Sequence, residues 1–328
     1  MAKSERRTIQ VVSHGPSCLD GVVAAAAVRR FYDGEHVTAT LAANGDSDRV
    51  LQGLRFKAGH LPDELWITDL SWTSNDTAGH LRNLSRAGLR IFWIDHHRTA
   101  VSRASAPEFN VPFAGRVLSE EYSAARLTFD YLKRIAEDAH DEGKVRDFER
   151  FSPFAAIADD HDRWIHRIPE SADWALAVQT LGGVESYREI IRLSEPVMSR
   201  KLRVALEAGR KAMDKSFEIA RTTMVERALD NGLRVRSACC IGYSSEVASK
   251  LYEGQSRTVI ALFDLRSLGV SLRRSADCDV DLSELARYFG GGGHAAAAGF
   301  AVSDVKRAPA ERLAEVLGQR LGGDVPRG

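Results

Sequence analysis

Short apolar runs alternate with segments of helical spacing through the first half of the chain. Residues 9–13 read as a strand, 21–31 as an alanine-rich helix and 37–42 as a second strand. Residues 64–68 read as a third strand, and 89–94 are apolar enough for a strand covered on both faces. Residues 123–135 and 154–158 carry helical spacing. This alternation predicts an α/β fold in which helices cover a parallel sheet. From 196 to 227, Met, Leu, Ala and Ile recur at helical intervals among many charges, which predicts a helix joining two domains. Beyond it, strands are expected at 234–241, 258–264, 269–273 and 300–302, and helices near 245–252, 282–288 and 307–321.

The expected organisation is a parallel-sheet N-terminal domain over 1–195, a helical linker over 196–230 and a smaller α/β domain over 231–328. No internal repeat interrupts it. The polar residues are placed with more regularity than the apolar ones. His14, Asp69 and the triplet Asp95-His96-His97 each follow directly on a predicted strand. In an open parallel sheet the carboxyl ends of the strands border the ligand crevice, so these groups are delivered to one edge.

Composition narrows the setting. Of 328 residues, 44% are hydrophobic and 27% charged, which excludes a disordered chain. Lys and Arg number 45, as do Asp and Glu, which speaks against wrapping long duplex nucleic acid, since that normally needs a broad positive surface. No apolar run approaches the ~20 residues that span a bilayer, and residues 1–8 lack the apolar stretch of a secretory leader. The cysteines Cys18, Cys239, Cys240 and Cys278 form no CxxC pair. A cytoplasmic globular protein, not a disulfide framework, is expected.

The acids and histidines define the chemistry. His14, Asp20, Asp69, Asp95, His96, His97 and Asp160 combine carboxylates with imidazoles, a donor set suited to Mn²⁺, Fe²⁺ or Zn²⁺, whereas carboxylates alone favour Mg²⁺. Any one of them could simply cap a helix. All of them at strand ends are better explained by a pair of ions that share a bridging carboxylate.

Five ordered blocks then carry a family resemblance over nearly the whole chain. Residues 94–99 (Ile-Asp-His-His-Arg-Thr) resemble the defining motif of the DHH phosphoesterases. Residues 13–21, Thr68-Asp69-Leu70-Ser71 and Asp160-His161-Asp162-Arg163-Trp164 resemble three further motifs of that family. Residues 290–300 resemble the glycine-rich signature of its associated C-terminal domain.

The resemblance implies that His14 and Asp69 hold a first metal, and that Asp20, Asp69, His96 and Asp160 hold a second. Mn²⁺ is the expected ion, with Mg²⁺, Fe²⁺ or Zn²⁺ as alternatives. Asp95 would orient the neighbouring ligands, and His97 would contact the scissile phosphate or protonate the leaving group. Asp159 and Asp162 compete with Asp160 for the fourth-block role.

Cys18 stands where many relatives have an aspartate. Either it ligates the first metal as a thiolate, or it only packs at the helix start. The resemblance assigns substrate contacts to Gly291, Gly292, Gly293 and His294. Arg273 is preferred over Arg274 because strand alternation puts it on the face of Ser271. Trp66, Trp72, Trp93 and Trp164 read as core or pocket walls in preference to base-stacking platforms, and Trp72 and Trp164, which follow metal motifs, could line the pocket. Arg98 could meet a phosphate or stand in solvent.

The implied activity is hydrolysis of a linear dinucleotide or short oligonucleotide by hydroxide activated between two ions, in a cleft between the domains. Cyclic nucleotides and phosphoadenosine phosphate are competing substrates, pyrophosphate a more distant one, and a non-catalytic nucleotide sensor is the alternative of another class. A small nucleotide or a short single strand of RNA or DNA is the expected partner, no membrane is expected, and a homodimer is the default for a soluble enzyme.

Overall fold

The computed structural model describes residues 6–43, 45–56, 60–252, 254 and 256–301. The chain divides into two compact units, Met1–Gly209 and Arg210–Gly328.

In the first unit the strands are β1 (Thr8–His14), β2 (His36–Ala42), β3 (Glu64–Thr68), β4 (Arg90–Asp95) and β5 (Gly115–Leu118). They form a sheet in the order β2-β1-β3-β4-β5, parallel throughout. All of β3, and all of β4 after Arg90, is buried, as central strands with helices on both faces must be. The helices are α1 (Leu19–Phe31), α2 (Ser47–Gln52), α3 (Asn75–Arg86), α4 (Arg98–Ser102), α5 (Ala124–Asp138), α6 (Glu142–Glu149), α7 (Ser152–Asp162), α8 (Ser171–Leu181) and α9 (Gly183–Ile190).

One core layer gathers Leu65, Ile67, Trp72, Leu81, Ile91, Trp93 and Phe109, all at most 2% exposed. Trp72 therefore belongs to the core: its indole N–H donates to the Glu108 carbonyl, and its ring lies 4.9 Å from that of Trp93.

The strand order fixes where a ligand can go. From β1 the chain crosses outward to β2, then returns to the other side of β1 for β3, β4 and β5. The crevice at that reversal opens beyond the carboxyl ends of β1 and β3, where His14 and Asp69 stand. Buried hydroxyls lock the two strand ends together. Thr68 Oγ1 donates to Ser13 Oγ at 2.8 Å, and Ser13 Oγ donates to the Gly21 carbonyl at 2.7 Å. Gly21 brings α1 against β1 so closely that a Cβ there would lie 2.1 Å from the His14 carbonyl oxygen.

The expected joining helix is α10 (Arg200–Thr223), which crosses the boundary between the units. It ends earlier than its spacing suggested, because β6 (Val225–Ala228) follows at once and pairs antiparallel with β7 (Arg234–Cys240). The second unit continues with α11 (Ser244–Tyr252), β8 (Thr258–Asp264), β9 (Gly269–Arg274), α12 (Leu282–Tyr288), β10 (Gly292–His294) and β11 (Ala297–Ala301). Its sheet runs β10-β11-β9-β8-β7-β6, with β7 and β8 parallel and the other pairs antiparallel. The helix expected at 307–321 and the last residue of the strand expected at 300–302 lie outside the described residues. Among the described residues no helix is long and apolar enough to cross a membrane.

Gly21→Ala should lower stability by about 1–3 kcal/mol, the usual cost of forcing an atom into a closed contact. A urea denaturation midpoint equal to wild type would show that α1 can move away from β1 without penalty.

Candidate metal centre

Three groups of ligating atoms converge at the carboxyl ends of β1, β3 and β4. They are His14, Cys18 and Asp69; Asp69, His96 and His97; and Asp20, His96 and Asp162, each set lying within 4.8 Å. Asp69 faces both ways. Its Oδ2 lies 3.3 Å from His14 Nδ1 and 3.7 Å from Cys18 Sγ, while its Oδ1 lies 3.3 Å from His96 Nε2. A carboxylate so placed can bridge two ions. Asp69 also adopts φ 54°, a left-handed conformation that is costly for a residue with a side chain.

Helices supply the remaining donors. Asp20 lies in the first turn of α1, and its two oxygens accept from the Ala124 and Ala125 N–H groups at 2.8 Å each. The start of α5 thus anchors a carboxylate whose Oδ2 also lies 3.6 Å from His96 Nε2. Cys18 is the N-cap of α1, yet its side chain makes no capping hydrogen bond and Sγ turns to Asp69. Asp95 holds the triplet in shape. Its Oδ1 accepts from the His96 N–H at 2.8 Å, the His97 N–H at 3.2 Å and His97 Nδ1 at 2.7 Å. Nδ1 of His97 is thereby committed to Asp95.

The structure places the acids of the fourth block differently from the expectation. Asp160 is absent from the cluster: its carboxylate accepts from Ser171 Oγ at 2.6 Å and from the Arg167 N–H at 2.8 Å. Asp162, the last residue of α7, takes the position instead, with Oδ2 3.5 Å from His96 Nε2. Asp159 accepts from the Ser123 N–H at 2.7 Å and so braces the start of α5. These acids point in different directions because successive residues on a helix turn by about 100°.

Asp160 instead organises the end of α7. Trp164 N–H donates to the His161 carbonyl at 3.0 Å and Ile165 N–H to the Asp160 carbonyl at 2.8 Å, the paired bonds of a Schellman ending. The left-handed position of that ending, usually glycine, is Trp164 with φ 57°. Such a conformation costs an L-residue about 1–2 kcal/mol.

The donor set fits divalent cations on electrostatic grounds. Burial raises the pKa of Asp20, and the nearby charges of Asp69 and Asp162 raise it further. Desolvation and Asp69 do the same to Asp162, and burial with the three acids drives the Cys18 thiol well up. Burial opposes protonation of His96, but its hydrogen bond to Asp69 and the charges of Asp20 and Asp162 prevail and push it to about 10. In the same way Asp95 outweighs burial and pushes His97 to about 9. Burial alone would raise Asp69, yet the hydrogen bonds from His14 and His96 hold it well below the carboxylate range. Carboxylates, imidazoles and a thiol that crowd their charges in this way are stabilised by positive ions.

Residues 242–321 match the DHHA1 domain. That C-terminal segment is similar to the DHHA1 domain, and the fold as a whole is similar to the structures that follow. Among solved structures, the DHH domain of a member of the S1p family of ribosomal proteins is 16% identical, covers 95% of this chain and 86% of its own, and gives a TM-score of 0.65. RecJ from Thermus thermophilus, in complex with Mn²⁺, is 15% identical and covers 98% of this chain and 52% of its own, with a TM-score of 0.56. The pGpG-specific phosphodiesterase PggH from Vibrio cholerae is 15% identical and covers 97% of this chain and all of its own, with a TM-score of 0.53. No curated protein matches the sequence.

Within the segment that matches the DHHA1 domain the glycine run passes from a turn at Gly290 into the edge strand β10, which takes in Gly292 and Gly293. Gly292, Gly293 and His294 pair with Gly299, Ala298 and Ala297 of β11. A Cβ at Gly291 would lie 2.1 Å from the Gly299 carbonyl oxygen, and one at Gly293 2.5 Å from the Ala298 Cα, whereas Gly292 borders open space. The two arginines part by strand alternation. Arg274 Nε donates to the Ala295 carbonyl and pins the β10–β11 turn. Arg273 shares its face with Ser271 and donates to Ser271 Oγ and Ser245 Oγ. Arg98, at the start of α4, is exposed.

Asp162→Asn should keep its fold and lose bound metal, whereas Asp160→Asn should keep its metal and lose about 1–3 kcal/mol of stability. Mass-spectrometric metal content and thermal midpoints separate the two; the opposite pattern would restore Asp160 as the ligand. Because His96 holds a proton below about 10, an arriving cation must displace it, so metal affinity should rise with pH. Calorimetry in buffers of different ionisation enthalpy should register proton release at neutral pH; none would contradict the assignment of His96.

Proposed function

We propose that the chain is a phosphoesterase dependent on two divalent cations, manganese first among them, that cleaves a linear dinucleotide or an RNA of a few nucleotides to mononucleotides. The observation that carries this reading is the division of Asp69, whose two oxygens face separate ligand sets. His14, Cys18 and Asp69 would hold one ion, and Asp20, Asp69, His96 and Asp162 the other. Such a pair, when bound, polarises phosphoryl oxygens and supplies a nucleophile at neutral pH.

The chain's own groups do the rest. Asp95 fixes the His97 ring through Nδ1, so that Nε2 can contact the phosphate or give a proton to the leaving oxygen. Asp20 ties one ion site to the start of α5, which keeps the ligands in place as charge develops. In the DHHA1 domain, Arg273, His294 and the strand Gly292–His294 are the proposed substrate contacts. A short substrate is supported by the balance of 45 basic and 45 acidic residues, which speaks against a broad cationic channel for a long strand. It is also supported by the likeness to a pGpG-specific phosphodiesterase along that protein's full length.

The test is hydrolysis with Mn²⁺ of labelled dinucleotides, longer RNA, phosphoadenosine phosphate, cyclic nucleotides and pyrophosphate. Dinucleotides should be cleaved most efficiently, and His97→Ala should lower kcat about 10²–10⁴-fold, the range for losing a positioned proton donor. Hydrolysis of nothing in the panel would favour a non-catalytic nucleotide sensor, and phosphate release from pyrophosphate alone would overturn the nucleotide reading.

A further inference from the structure

Trp164 stands apart from the other tryptophans. Trp66, Trp72 and Trp93 are fully buried and Trp174 is 2% exposed, whereas Trp164 is 40% exposed. It also occupies the left-handed position at the end of α7, where glycine meets no steric penalty and a bulky side chain does. The surrounding chain enforces that position. Asp160 holds the turn through its carbonyl and its carboxylate, the latter bonded to the Arg167 N–H and Ser171 Oγ. The Trp164 ring is steadied by His166, with centroids 4.4 Å apart and planes at 81°, and by His161 at 5.7 Å.

The place is as informative as the strain. Two peptide units separate Trp164 from Asp162, so their Cα atoms are at most about 7 Å apart, and Asp162 carries the oxygen beside His96. A partly exposed aromatic ring, held by two histidines, is thus carried two residues along the chain from a carboxylate of the cluster. Core packing does not account for an exposed ring, and helix termination is served better by glycine.

We propose that Trp164 is a stacking platform for a nucleobase of the substrate, an inference that rests on the phosphoesterase reading above. A nucleobase is the ligand that matches: it is flat and aromatic, and it is joined to the phosphate that the adjoining cluster would engage. Stacking on an aromatic ring tolerates any base, so the platform sets a preference for base-bearing esters without reading sequence. The role of Asp160 follows. It is a positioning residue that shapes the turn carrying the ring.

The test uses the full chain loaded with Mn²⁺ and compares wild type with Trp164→Gly and Trp164→Phe. Glycine suits the left-handed turn, so Trp164→Gly should melt no lower than wild type. Its KM for a dinucleotide should rise about tenfold or more while kcat stays within about twofold, the pattern of lost binding to a group remote from the reacting atoms. Its KM for an abasic dinucleotide, with the same backbone and no bases, should be unchanged, and Trp164→Phe should recover most of the loss. Equal KM rises for both substrates, or no rise for either, would overturn the platform.

If the wild type cleaves neither ester, the phosphoesterase reading fails by itself, and AMP titration then decides the platform alone. Quenching of tryptophan emission that disappears in Trp164→Phe would sustain it. Quenching that persists in that variant, or is absent from both, would end it.

Discussion

Asp20, Asp69 and Asp162 hold carboxylates where each raises the cost of charge on another, and the fold tolerates this only because histidines and backbone N–H groups stand among them. Asp69 is the pivot. Buried, in a left-handed conformation, and ionised by its bonds to His14 and His96, it joins the two ligand sets. Such an arrangement has a simple reason to persist: divalent ions convert mutual repulsion into shared attraction.

Much of the first unit is organised to hold that arrangement still. Parallel strands buried on both faces have no freedom to slip, so residues at their carboxyl ends keep fixed positions. Ser13 and Thr68 tie β1 to β3, and Gly21 allows α1 to close onto the strand end. Asp20 draws in the start of α5, and Asp159 braces the same helix start through Ser123. The acids of the fourth block therefore divide the labour. Asp162 joins the cluster, Asp159 braces α5, and Asp160 builds the turn that presents Trp164.

In the DHHA1 domain the glycines answer first to sterics. Gly291 and Gly293 lie so close to β11 that any side chain would collide with backbone, while Gly292 has room and keeps its edge open. Alternation along β9 then separates two neighbouring arginines. Arg274 goes to the β10–β11 turn, and Arg273 to the face of Ser271 and Ser245.

The sequence alone determined the parallel-sheet order of elements and the arrival of His14, Asp69 and the Asp95–His97 triplet at strand ends. Both follow from local periodicity: an apolar run has to be buried, and the polar residue that ends it has to emerge at the sheet edge. It also pointed to Arg273, because side chains alternate along any strand. Short elements such as β5, β6 and α9 were not legible, since a few residues carry too little periodicity to outweigh tertiary contacts. Only the tertiary structure decided among Asp159, Asp160 and Asp162. Their spacing is compatible with each, and the choice depends on Ser171, Ser123 and His96, partners from separate parts of the chain. The same is true of Trp72 and Trp164, one enclosed by Trp93 and Phe109, the other left exposed at a helix end. Periodicity states which face of an element is apolar; which distant residue meets that face is settled when the chain has packed.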